Sequence, residues 1–305
     1  MLDLTRLQAL HAVATYGSVG AAADVLQISP SAVSQQLAKL ERETRCPLVE
    51  RQGRGVRLTD EALVLSEHAT RILKQMEEAE TDVASRRGAV VGRLAIAAFP
   101  TATRGLLVGA LRTLAGRYPE LTTTLTESDP VDTVPRVTRG EMDLGIVQDW
   151  NQDWNNVSLP VPDGLERADL CDDYADLAVP ADHPLAAESV PLFELAGADW
   201  ISPLQGTVCH DWLVHTFRNT GVEPRLRYYA EEYDTQLALV AAGLGVTIIP
   251  RLGRSRIPDG VRVLGVHPTV SRRVYAIWRS ESSRRPAIRA ALDALHTAAD
   301  GLPQP

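Results

Sequence analysis

The chain has 305 residues, of which 45% are hydrophobic and 23% charged, and its formal net charge is −8. This length suits two or three domains, and the composition is that of an ordinary globular protein. No apolar run approaches the roughly 20 residues that span a bilayer, the N-terminus lacks the apolar core of a signal peptide, and three cysteines are too few for a disulfide framework. We therefore expect a cytoplasmic protein without a membrane partner.

The acidic net charge does not exclude a nucleic-acid partner, because DNA responds to the local field of a protein. Residues 1–60 carry seven Lys and Arg against six Asp and Glu, and their basic residues concentrate between positions 39 and 57. The overall charge is therefore neither an objection to DNA binding nor support for it.

The first part of the chain has the pattern of three short helices. Ser18 is a suitable N-cap for a second helix over residues 19–26, and Ser29 with Pro30 starts a third helix that runs to about Glu43. The first helix, which ends near Gly17, is predicted from four apolar residues at helical spacing: Leu4, Leu7, Leu10 and Val13.

The third helix is predicted to bury Val33, Leu37 and Leu40 and to expose small polar groups on its opposite face. Two short helices joined by a tight turn suit insertion of the second into a DNA major groove. Gln bonds base edges, Ser bonds bases or phosphates, and a Lys farther along the helix meets the phosphate backbone. The candidate DNA-binding residues here are Ser29, Pro30, Ser31, Ser34, Gln35, Gln36 and Lys39.

Residues 50–58 have the pattern of a hairpin with glycines at its turn and three arginines along it: Arg51, Arg54 and Arg57. Such a wing places guanidinium groups on phosphates or in the minor groove. The alternative is a three-helix bundle with a solvated basic loop. The three arginines favour DNA binding, because a glycine-punctuated basic hairpin after a helix-turn-helix has few other uses.

The segment LxxLxAVATYGSVGAAADVLQISPSAVSQQLAKLE, followed by PLVERQGRGVRLT, resembles the N-terminal domain of LysR-type transcriptional regulators over residues 2 to about 70. The resemblance implies a winged helix-turn-helix. Family members usually carry Gln at the position of Pro30, often Arg at that of Gln35, and Leu-Phe-x-Arg where this chain has Leu-Val-Glu-Arg at 48–51. The first two departures fall on presumed base-reading positions, so the resemblance implies the fold and leaves the DNA sequence open.

Apolar residues at alternating spacings of four and three, from Leu58 to Val83, predict a long helix with a seam that pairs with a partner. The predicted dimerisation residues are Leu58, Leu65, Ala69, Ile72, Met76 and Val83. A homodimer, or a tetramer built from dimers, presents paired recognition helices and requires an interrupted inverted repeat in double-stranded DNA. The alternative is a surface helix packed on its own core.

From residue 92 onward, strands alternate with helices, which predicts an α/β domain with a parallel sheet. The segments GEMDLGIV and LALVAAGLGVTIIP also resemble LysR-type regulators, whose second domain has two lobes like periplasmic binding proteins, with an effector between them. The expected organisation is a winged helix-turn-helix domain over 1–59, a linker helix over 60–88 and an effector-binding domain over 89–305. Lobe I covers about 92–164 and 268–300, and lobe II about 165–267.

Ligands of open α/β folds bind at the carboxyl ends of strands, near helix N-termini. Hydroxyls at these positions suit a carboxylate or another anion, although N-capping is the alternative role of each Thr. The candidate effector-binding residues are Pro100, Thr101, Ala102, Thr103, Gln148, Asp149, Ser202, Gln205, Gly206, Thr207 and Thr247.

The sequence contains no recognised catalytic or nucleotide-binding fingerprint, and the histidines are dispersed, so no cofactor, metal or enzymatic activity is expected. The leading interpretation is a dimeric or tetrameric transcription regulator controlled by a small-molecule effector. One alternative is a small-molecule binding protein or enzyme that uses the N-terminal helices only for assembly. Another is a thiol redox sensor on the same scaffold that uses Cys171 and Cys209.

Overall fold

A computed structural model describes residues 2–52, 55–85, 89–151, 161–185, 188–218, 221 and 223–302. The chain divides into two compact units, Met1–Ala84 and Ser85–Pro305. No helix in the described part of either unit is long and apolar enough to cross a membrane.

The first unit consists of four helices and a two-stranded hairpin. The elements are α1 (Leu4–Tyr16), α2 (Val19–Leu26), α3 (Pro30–Thr44), β1 (Val49–Gln52), β2 (Gly55–Leu58) and α4 (Asp60–Ser85). Ser18 Oγ accepts a hydrogen bond from the N–H of Ala21, and Ser29 Oγ accepts one from that of Ala32. Gly17 ends α1 in the left-handed conformation, at φ 74°. The predicted helices and their caps are confirmed.

The core of this unit is formed by apolar residues from all four helices and by Leu48. Ala69, in α4, is fully buried in this core, and Leu58 and Leu65 pack against it. The predicted intermolecular seam is therefore wrong at Ala69, which packs on its own unit, whereas Leu58 and Leu65 are half-buried and stay a prediction. The 4-3 spacing fitted both arrangements, since either one places one apolar stripe of a helix against a neighbour.

The second unit is an α/β structure. Its strands are β3 (Gly92–Ala98), β4 (Leu121–Glu127), β5 (Leu144–Asn151), β6 (Leu165–Pro180), β7 (Ser189–Pro191), β8 (Asp199–Ser202), β9 (Arg225–Tyr229), β10 (Thr247–Pro250), β11 (Val261–His267) and β12 (Val270–Arg279). Its helices are α5 (Pro100–Ala102), α6 (Val108–Arg117), α7 (Pro130–Thr138), α8 (Val208–Arg218), α9 (Tyr233–Ala241) and α10 (Pro286–Asp300).

Eight strands form one sheet in the order β4-β3-β5-β12-β6-β11-β7, with β10 also paired to β6. The expected parallel pairs occur between β3 and its neighbours β4 and β5. In contrast, β12 runs antiparallel to both β5 and β6. The sheet is therefore mixed, because two long antiparallel strands run through its middle.

Two lobes result from this topology. The first half of β6 pairs with the second half of β12, next to β5, whereas the second half of β6 pairs with β10 and β11. Lobe I has a core around Leu94, Ile146 and Ile288, and lobe II has a core around Trp200 and Phe217. The pairing of β12 with β5 brings this part of the chain back to lobe I.

Two helical segments of lobe I follow β3 and β4. A π-helical turn over Thr103–Leu107 lies between α5 and α6. Helix α7 begins at Pro130, because Asp129 Oδ1 accepts a hydrogen bond from the N–H of Val131 and caps it. The cap places Asp129 directly beyond the carboxyl end of β4.

Candidate DNA-reading helix and interlobe cavity

The exposed face of α3 carries the residues predicted to contact DNA. Gln36 is half-buried, and the six others are exposed: Ser29, Pro30, Ser31, Ser34, Gln35 and Lys39. Ser29 Oγ and Ser31 Oγ lie 2.9 Å apart, and Ser34 Oγ donates to the Pro30 carbonyl oxygen at 3.0 Å. In the described part of the chain, the side chains of Gln35 and Lys39 have no hydrogen-bond or ion-pair partner. These two side chains are therefore available to an external partner.

The predicted wing is a short antiparallel hairpin in which Glu50 lies opposite Arg57. These two side chains form an ion pair at 3.0 Å, and both are more than half exposed. Because exposed ion pairs contribute little to stability, Arg57 can exchange Glu50 for a phosphate. Arg54 and the side chain of Arg51 lie outside the described residues.

The second half of α4 exposes apolar side chains. Ile72, Met76 and Val83 are 40%, 43% and 67% exposed. These positions belong to the predicted seam and, unlike Ala69, do not pack into the core of their own unit.

A cavity of about 310 Å³ lies between the two lobes. Its walls come from segments that follow the carboxyl ends of β3, β4, β8 and β9, as expected for an α/β fold. The lining residues are Phe99, Pro100, Thr101, Arg104, Glu127, Ser128, Asp129, Gln148, Pro203, Leu204, Thr207, Cys209, Glu231, Glu232, Tyr233 and Arg272.

Four of the predicted effector-binding residues line this cavity: Pro100, Thr101, Gln148 and Thr207. Gln205 and Gly206 line an adjoining open depression together with Thr207, Ser128 and Asp129. The prediction from strand ends therefore identified the cleft and part of its wall.

The other five predicted residues do not line the cavity. Ala102 is buried in the core of lobe I, and Thr103 lies in the π-helical turn. Three further side chains are buried and bonded within the protein. Asp149 accepts from Tyr275 Oη at 2.8 Å, Ser202 Oγ lies 2.9 Å from His210 Nδ1, and Thr247 Oγ1 donates to Gln236 at 2.6 Å. Of these three residues only Ser202 lies at the carboxyl end of its strand, and all three side chains have partners within the protein.

Arg272 lines the cavity but was not among the residues predicted to bind the effector. Its side chain is 1% exposed and forms an ion pair with Asp173 at 2.8 Å. It also donates to Thr101 Oγ1 at 2.6 Å and to the side-chain oxygen of Gln148. The guanidinium lies over the ring of Phe99, 4.9 Å from its centroid. No local signal in the sequence around Arg272 indicates that this arginine is buried.

The cavity lining also contains four carboxylates, which come from both lobes: Glu127, Asp129, Glu231 and Glu232. Asp129 Oδ1 accepts a hydrogen bond from the backbone N–H of Val131, at the start of α7. Burial raises the pKa of Asp129; backbone N–H groups near its carboxylate oppose the rise, and the charges of Asp132 and Glu231 add to it. The lining is therefore more acidic than the hydroxyl pattern suggested.

Two of the three free cysteines lie in this unit, and each packs against the core of a different lobe. Cys209 lines the cavity, and its sulfur accepts from Gln148 Nε2 at 3.2 Å and from Tyr233 Oη at 3.7 Å. Burial, followed by the charge of Asp173, raises the pKa of Cys171 to about 11. The two thiols thus occupy separate environments.

A DNA-reading helix in one unit and a two-lobed ligand cleft in the other define a ligand-responsive DNA-binding protein. The family model described as the bacterial regulatory helix-turn-helix protein, lysR family, matches residues 4–63, and that of the LysR substrate binding domain matches residues 87–300. The chain belongs to the LysR family of transcriptional regulators.

Similar proteins include both regulators and solved structures. The DNA-binding transcriptional dual regulator OxyR of Escherichia coli is 27% identical over 305 residues, covering 98% of this chain and 97% of its own. CbnR in complex with its target DNA has a TM-score of 0.69 at 23% identity, covering 97% and 100% of the two chains. A mutant OxyR of Corynebacterium glutamicum with bound H₂O₂ has a TM-score of 0.61 at 24% identity, covering 97% and 92%.

Proposed function

We propose that this regulator binds an interrupted inverted repeat in promoter DNA as a dimer or tetramer and responds to a small molecule in the interlobe cavity. The exposed polar face of α3, with the unengaged side chains of Gln35 and Lys39, carries the proposal. Because it acts on chromosomal DNA, we place it in the cytoplasm. We assign it no catalytic activity, since the matching family is one of transcription regulators.

The residue roles follow from this proposal. Gln35 reads base edges, Ser31 and Ser34 bond bases or phosphates, and Lys39 and Arg57 bind phosphates. Effector binding stabilises one arrangement of the two lobes over another. This change in lobe arrangement alters the affinity of the DNA-binding units for DNA. Such coupling between two ligands is typically worth about 1–3 kcal/mol and is reciprocal.

Replacement of Gln35 by Ala tests base reading. We expect the Gln35→Ala protein to bind its own promoter more weakly by about 1–3 kcal/mol while its binding to random DNA is unchanged. Lys39→Ala should weaken binding to both DNAs and reduce the salt slope by about 1, because one phosphate contact is lost. Fluorescence-anisotropy titrations at several salt concentrations measure both quantities.

The control is Gln8→Ala, which removes an exposed glutamine from α1, away from the proposed reading face. It should bind both DNAs like the unmodified protein. An equal loss on promoter and random DNA for Gln35→Ala would contradict base reading by this residue.

A second candidate function, thiol-based peroxide sensing, is favoured by the position of Cys209 in the cavity wall. One similar structure has bound H₂O₂, and several similar proteins are hydrogen peroxide-inducible genes activators. The thiolate would attack one peroxide oxygen and break the O–O bond, which yields Cys–SOH and, after proton transfer, water. Cys171 is a poor candidate to form a disulfide with this sulfenic acid, because its raised pKa keeps its thiol protonated.

Trapping the sulfenic acid with dimedone, followed by peptide mass spectrometry, tests this second candidate. Peroxide should label Cys209 and change promoter binding in the unmodified protein and in Cys171→Ser, but not in Cys209→Ser. A peroxide response that survives in Cys209→Ser, or an unmodified protein that is neither labelled nor altered, would reject the sensor.

A further inference from the structure

We infer that the interlobe cavity takes a small organic cation, such as a protonated amine with an apolar body, rather than an anion. This inference rests on the proposed function, in which the cavity holds the effector, and it names the charge of that effector. Two observations support it. Hydrogen-bond donors near the cavity already have partners within the protein, and carboxylates from both lobes line the cavity.

Two donors near the cavity that would serve an anion are already engaged. The backbone N–H of Val131, at the start of α7, donates to the Asp129 carboxylate. The buried guanidinium of Arg272 is neutralised by Asp173 and directs its remaining hydrogen bonds to Thr101 and Gln148. An incoming carboxylate would have to displace one of these partners, leaving a buried charge unpaired.

The carboxylates, in contrast, have no cationic partner. Among the described residues, none of Glu127, Asp129, Glu231 and Glu232 forms an ion pair. The other lining cation, Arg104, is exposed and donates its Nε–H to the Gly253 carbonyl oxygen at 3.0 Å. The lining thus has four unpaired carboxylates and a single arginine without a carboxylate partner.

These carboxylates come from both lobes. Glu127 ends β4 and Asp129 follows it in lobe I, whereas Glu231 and Glu232 follow β9 in lobe II. The negative charge of Glu231 is the smallest of the contributions that raise the pKa of Asp129, so like charges of the two lobes disfavour one another here. A cation held between them offsets that repulsion and favours the arrangement with the lobes together, which is the differential interaction that a controlling ligand needs.

The remaining wall is apolar and aromatic, with Phe99 and Pro100 on one lobe and Leu204 and Tyr233 on the other. A cavity of about 310 Å³ lies at the lower end of the range for small-molecule sites. Because these residues can pack against an apolar body, the cavity fits an organic molecule better than a bare metal ion.

Three molecules of similar shape and different charge test the inference: 2-phenylethylamine, 2-phenylethanol and 3-phenylpropionate. Isothermal titration of the full-length protein should show the amine binding at least about tenfold more tightly than either of the others, as expected for a charge-assisted contact. Its affinity should fall with added salt, because the cavity mouth is open to solvent.

Neutral variants locate the site. Glu127→Gln and Glu231→Gln, one from each lobe, should each reduce amine affinity several-fold while leaving that of the alcohol unchanged. Glu194→Gln, at an exposed position outside the cavity, is the matched control and should leave both affinities unchanged.

Three results would overturn the inference. One is binding of 3-phenylpropionate as tight as that of the amine or tighter, which would leave an effector cavity that does not select a cation. Another is failure of the amine to bind with a Kd below about 10 mM, and the third is equal binding of Mg²⁺, which would assign the carboxylates to a metal ion. Promoter binding of the same preparation tests the proposed function separately.

Discussion

Arg272→Ala is expected to lower the free energy of unfolding of the effector-binding unit by about 3–5 kcal/mol. The substitution leaves Asp173, whose side chain is 3% exposed, as a buried carboxylate without its partner. It also removes hydrogen bonds to Thr101 and Gln148 and opens space beside Phe99. The penalty is large because a buried charge that loses its counter-ion retains its full desolvation cost.

Urea unfolding followed by tryptophan fluorescence measures this effect, because all five tryptophans lie in the unit Ser85–Pro305. The neighbouring Arg273→Ala is the matched control. Arg273 pairs with Asp172 at 3.6 Å and is 41% exposed, so its loss should cost less than about 1 kcal/mol. Similar losses for the two variants would show that the buried pair does not stabilise the unit.

Met76→Asp is expected to convert the protein to a monomer and to weaken promoter binding by about 100-fold or more. A carboxylate in a paired apolar seam is buried without a partner, and a monomer loses the gain from binding two half-sites at once. Sedimentation velocity reports the oligomeric state, and anisotropy titration reports promoter affinity.

Val64→Asp provides the control for the dimer seam. Val64 lies on the same helix and is 57% exposed, but it falls outside the 4-3 spacing that defines the seam. It should retain the oligomeric state and the promoter affinity of the unmodified protein. If Met76→Asp behaves like Val64→Asp, the exposed apolar side chains of α4 do not mediate assembly.

The DNA-reading unit was predictable from sequence because its signals are local. Ser18 and Ser29 cap the helices that they precede, and Gly17 ends the first helix with the positive φ that glycine permits. The same local pattern could not identify the partner of α4. Ala69 and Met76 continue one spacing, yet Ala69 is buried in its own unit and Met76 is exposed.

The cavity was predictable in position but not in charge. The carboxyl ends of strands pointed to Thr101 and Thr207, which line it. The partner of Arg272 is 99 residues away in sequence, and this pairing depends on the register of two neighbouring antiparallel strands. The acidic lining likewise arises when segments after β4 and β9 meet, so no single segment indicates it.

A nuclease footprint of the purified full-length protein on the DNA upstream of its own gene tests the central claim most directly. The dimeric regulator should protect two half-sites of an interrupted inverted repeat, with half-site centres separated by whole helical turns and weaker protection at higher salt. Absence of protection at both low and physiological salt would contradict the assignment of α3 as a DNA-reading helix.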